Sequence, residues 1–133
     1  MKLNVMSTIT SLLAILFMTL HGVDDVLRDV RGMAQGGVET LVFALILIVW
    51  LYGVLLLAER RSGYVINLVG SLLWSFLAVG HMTGVGGDVV LGEIATSSGA
   101  FFVWTVIALG VTAIFSFILS ARGLWSLQRS QSK

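Results

Sequence analysis

Hydrophobic residues fall in four long uninterrupted stretches, 3–20, 40–58, 64–80 and 100–121, none of which holds an Asp, Glu, Lys, Arg or His. Each is close to the roughly 20 residues that a helix needs to cross a hydrocarbon core. Polar and apolar positions do not alternate within them, so barrel strands are excluded and helices, whose backbone groups bond internally, are predicted. The expected fold is all-α: one integral membrane domain over 1–133, a four-helix up-down bundle. The first stretch resembles a secretory signal in its length and its leading Lys2. However, Leu20-His21-Gly22-Val23 lacks a small-x-small cleavage pattern, so it reads as a span.

The segments between the stretches differ in character. In 23–34, Val23, Val26, Leu27, Val30, Met33 and Ala34 recur at helical spacing, with Asp24, Asp25, Arg28, Asp29 and Arg31 mostly between them. This pattern predicts a short amphipathic helix lying on the membrane surface between the first two spans. Segment 82–99 is rich in glycine but has no strand-loop-helix context with a following Lys, so it does not read as a phosphate loop. The short polar run Glu59-Arg60-Arg61-Ser62-Gly63 makes the second and third spans antiparallel neighbours.

Composition narrows the function classes. The 133 residues are 57% hydrophobic and 11% charged, against about 25% charged in a soluble domain. A water-soluble enzyme and a nucleic-acid binder are excluded on that ground, and the lipid bilayer is the first partner. With no cysteine there are no disulfides, thiolate nucleophiles or Cys-based metal sites.

The few charges are sorted. One side carries Lys2, Arg60, Arg61, Arg122, Arg129 and Lys133 against Glu59. The other carries Arg28 and Arg31 against Asp24, Asp25, Asp29, Glu39, Asp88 and Glu93, a balance of +5 against −4 within a net +1. Basic loops stay in the cytoplasm, which puts both termini inside a bacterial-type inner or plasma membrane. Tyr64 and Trp125 mark the inner boundary and Trp104 the outer one.

Two runs sixty residues apart share a register: Ser11-Leu12-Leu13 leads to His21, and Ser71-Leu72-Leu73 leads to His81. Both histidines lie 19–20 residues past a basic anchor, Lys2 or Arg61, hence at about 28–30 Å from it and at nearly equal depth on the outer side. Each ends a seam of small and polar residues. The first is Ser7, Ser11, Ala14, Met18, His21; the second is Asn67, Ser71, Trp74, Ala78, His81. Such residues mark helix contacts in lipid. If both seams face the bundle centre, the imidazoles converge.

Three readings of the histidines follow. With the carboxylates of Asp24, Asp25, Asp88 and Glu93 they form a candidate site for a transition metal. As two imidazoles on different helices they could ligate haem iron axially. As amphipathic rings at the headgroup boundary they need no function beyond a response near pH 6.5. Catalysis finds no nucleophile in a recognisable setting, and no span carries the central acids or bases that transporters use. On the fourth span, Ala108, Thr112, Ser116 and Ser120 recur every fourth residue. They predict close helix packing, within this bundle, against a second copy or in a larger membrane complex. The expected function is therefore a non-catalytic membrane subunit or interaction module, with a two-histidine metal or haem site as the alternative.

Overall fold

A computed structural model describes residues 3–27, 36–83 and 97–131. It is all-helical over these residues: α1 spans Leu3–Leu27, α2 Val38–Leu55, α3 Arg61–Thr83 and α4 Ser97–Gln131. All four are long and apolar enough to cross a membrane. α1, α3 and α4 each contain one expected stretch and extend it, whereas α2 begins two residues before 40–58 and ends three residues short of it. α1 continues without a break seven residues past position 20, so Val23–Leu27 prolong the first helix. The rest of the expected surface helix, 28–34, lies outside the described residues.

The helices bury one narrow seam each and leave the other sides apolar and exposed. On α1 the buried line is Ser7, Ser11, Ala14, Met18, His21, and on α3 it is Tyr64, Asn67, Ser71, Trp74, Ala78. On α4 it is Phe102, Val106, Leu109, Ala113, Ser116, Ser120 and Gly123. All three lines advance by alternating steps of three and four. An average of 3.5 residues nearly matches the 3.6-residue turn, so each line stays on one face. The every-fourth-residue line expected on α4 drifts away from this face. Ser116 and Ser120 are fully buried, whereas Ala108 and Thr112 are half-buried beside the seam.

α4 packs closely on both α1 and α3, while α2 leans more loosely on α3 and α1. Enclosure follows the same order: 39% of the α4 apolar window is buried but only 17% of that of α2. α2 contributes Trp50, Gly53 and Val54 to the core. The centre is apolar, built from Ala14, Met18, Trp50, Trp74, Leu109 and Ala113.

Three expected inner segments gather at one end of the molecule. Asn4 at the start of α1 donates a hydrogen bond to Glu59 in the turn between α2 and α3. Close by, the Tyr64 ring lies against Gly123 of α4, where even a methyl group would overlap it. Tyr64 is thus a buried packing residue rather than the boundary anchor expected of it. Trp125, also expected there, is exposed, with the Arg129 guanidinium 4.6 Å from its ring centre.

Candidate functional site: a histidine pair at one end of the bundle

The two seams carrying the histidines both face inward, and the sixty-residue register holds along their length. At the end opposite Glu59 the His21 and His81 rings meet, with centroids 5.1 Å apart and planes at 76°. Helix periodicity explains the meeting. His21 is the fifth residue of its 3–4 line on α1, and His81 continues the corresponding line on α3. α1 and α3 otherwise touch sparsely, so the imidazoles are a main point of approach between these two helices.

Phe102 of α4 completes a three-ring cluster. Its centroid lies 5.1 Å from that of His21 and 5.5 Å from that of His81. Residue-type arguments passed over Phe102 because phenylalanine bears no ligand chemistry. The available signal was spacing: Phe102, Leu109, Ser116 and Gly123 recur every seven residues. Phe102 in turn belongs to a small buried apolar cluster with Ala78 and Val106.

His21 is only 1% exposed and His81 is half-buried. One turn after His21, an Asp25 carboxylate oxygen stands 3.7 Å from its Nε2. That is beyond a hydrogen bond. Next to His21, Gly22 receives the Phe43 ring of α2, which a larger residue would displace. Asp24 is half-buried on the same turn. Asp88 and Glu93, the remaining acids considered for this site, lie outside the described residues. Among the described residues, no three His, Cys, Asp or Glu side chains gather into a ready metal-ligand group.

A second polar layer lies toward the other end. The Ser11 and Ser116 hydroxyls are 2.7 Å apart, and those of Ser7 and Ser120 are 3.5 Å apart. These pairs join α1 to α4, so the buried part of the small-residue line on α4 packs within the chain's own bundle. Ser71 donates to the Asn67 carbonyl, and Thr112 donates to that of Ala108, each satisfied within its own helix. Ten residues, about 15 Å of helix, separate Ser11 from His21, and the apolar centre fills that interval. Among the described residues, no ionisable side chain bridges the two layers.

Comparison with known proteins adds no name to this arrangement. No family model, curated protein or solved structure matches the chain.

Proposed function

We infer that this chain is a small, non-catalytic integral membrane protein whose function resides in ligand binding by His21 and His81 at the outer end of its bundle. The carrying observation is the 5.1 Å approach of two imidazoles from different helices. A histidine that merely rests at the headgroup boundary has no reason to be 1% exposed or to meet a second histidine there. In this reading the helices form an up-down bundle with both termini in the cytoplasm, supported by the +5 against −4 charge division. The histidines then open toward the extracytoplasmic side, beside the segment read as a surface helix. The ligand classes that suit two imidazoles are a transition metal and haem.

The test is purification in detergent and thermal unfolding with divalent transition metals and with haem, for the natural chain and for His21→Ala/His81→Ala. At least one ligand should raise the melting temperature of the natural chain alone. If every ligand acts equally on both proteins, the pair is not a binding site.

A second reading, a subunit of a larger membrane complex, is favoured by α2. Between α2 and α3 runs an apolar groove of about 430 Å³ lined by residues including Leu45, Val49, Trp50, Val69, Gly70 and Leu73. Replacing Val49 and Val69 with Trp fills this groove. A change in assembly size in mild detergent supports the subunit reading, and an unchanged size counts against it.

A further inference from the structure

We propose that the outward face of α4 binds one anionic phospholipid, its phosphate held by Arg122 beside Trp125 and Arg129 and its acyl chains laid along Val111, Phe115 and Ile118. The site is independent of the histidine pair and lies toward the other end of the bundle.

Helix periodicity sets the line. Val111, Phe115, Ile118, Arg122, Trp125 and Arg129 are all exposed, and alternate steps of four and three keep them on one face. That face is opposite the buried seam running from Phe102 to Gly123, so it meets lipid rather than another helix of this chain. Trp104, also exposed, opens the same face about 32 Å of helix before Trp125, close to the thickness of a hydrocarbon core. Two exposed indoles at that separation mark the two interfaces, which puts Trp125 at headgroup level. The chemistry of the face changes there: apolar through Ile118, cationic at Arg122 and Arg129.

A phospholipid presents its groups in that order, chains and then phosphate. Arg122 and Arg129 stand two turns apart, about 10 Å along the axis, on either side of Trp125. The Arg129 guanidinium lies 4.6 Å from the Trp125 ring centre, and this contact holds its charge beside the indole. Arginine suits the task. Its planar fork matches two phosphate oxygens, and its weak hydration lowers the cost of leaving water. The charge of this end is complementary too. Among the described residues it carries Arg60, Arg61, Arg122 and Arg129 against Glu59, and Glu59 already accepts a hydrogen bond from Asn4.

The test is native mass spectrometry of the full chain released from detergent micelles holding equal amounts of phosphatidylglycerol and phosphatidylcholine with the same acyl chains. The natural chain should retain one phosphatidylglycerol in preference to phosphatidylcholine. Arg122→Gln should lower that preference about fivefold, and Arg122→Gln/Arg129→Gln should abolish it. Arg60→Gln/Arg61→Gln removes the same charge from the same end but off this face, and should leave the preference unchanged. The altered side chains are all exposed, and folding is checked by helical circular dichroism and melting temperature. Equal retention of the two lipids by the natural chain overturns the proposal. An equal loss in Arg60→Gln/Arg61→Gln overturns the site in favour of diffuse attraction to a basic end. Glycerol phosphate, the headgroup chemistry without chains, should not displace the lipid at equal concentration; displacement overturns the part given to the apolar strip. A natural chain that retains no lipid but forms a dimer, lost in Arg122→Gln/Arg129→Gln, gives the face to a second copy and overturns the lipid.

Discussion

Replacing Ser116 with Leu asks whether the small-residue line of α4 is needed inside the bundle or on its outside. Ser116 has no exposed surface, and its hydroxyl lies 2.7 Å from that of Ser11 across the α1–α4 contact. Leucine adds two heavy atoms where the seam has no room. Overpacking of this kind costs about 1–3 kcal/mol, and loss of the interhelical hydrogen bond adds about 0.6 kcal/mol. The total, about 2–4 kcal/mol, shifts the unfolding equilibrium by about two orders of magnitude. Ser116→Ala isolates the smaller part. It forfeits only the hydrogen bond, and the Ser11 hydroxyl can turn back to a carbonyl of its own helix. Reversible unfolding in mixed micelles by increasing SDS, with size measured by light scattering, separates the cases. Ser116→Leu should lower the SDS midpoint strongly, Ser116→Ala slightly, and neither should change the assembly size of the folded protein. A Ser116→Leu variant with an unchanged midpoint but an altered size would refute the assignment of this seam to the chain's own core. Equal losses for Ala and Leu would refute the packing argument.

Further outcomes follow from the same geometry. Leu109→Ala empties a fully buried position of the central cluster; because lipid replaces water as the reference, its cost should fall near the lower end of the 2–5 kcal/mol range, about 2 kcal/mol, by the same SDS assay. Gly123→Ala should destabilise the protein although alanine is the better helix former by about 1 kcal/mol, because the added methyl overlaps the Tyr64 ring; a stabilised variant would show that the two helices separate easily there. The natural chain has no cysteine, so single-cysteine variants report topology cleanly. Ser62→Cys and Ser130→Cys should resist a membrane-impermeant maleimide in intact cells while Asp88→Cys reacts, and the reverse pattern would overturn the orientation.

How far the site was legible depends on which residue is asked about. The inward seams of α1 and α3 were readable because serine, asparagine and alanine are conspicuous in a leucine-rich span, and their 3–4 steps project onto one face. On α4 the small-residue line and the buried seam of this chain coincide only at Ser116 and Ser120. Ala108 and Thr112 share the small-residue chemistry of Ser116, but steps of four carry them around the helix and off the face. Phe102, Val106, Leu109 and Ala113 occupy that face instead, and in an apolar span such residues look the same whether they meet a helix or lipid. Tyr64 was read as a boundary anchor from its place at the span's edge, whereas the missing side chain of Gly123 lets α4 close over it.

The sequence by itself determined that the chain carries four stretches long and apolar enough to cross a membrane, and where its polar groups fall along them. Both follow from counting along a helix of fixed rise: four stretches of the right length, charges only beyond their ends, and two histidines at nearly the same distance from a basic anchor. It also determined which face of α1 and of α3 carries polar residues, since periodicity is local. Only the tertiary structure decided that those two faces meet, because rotation of each helix about its axis is set by packing against the others. That packing, with α4 drawn in on one side and α2 held more loosely, turned two residues at equal depth into a pair 5.1 Å apart.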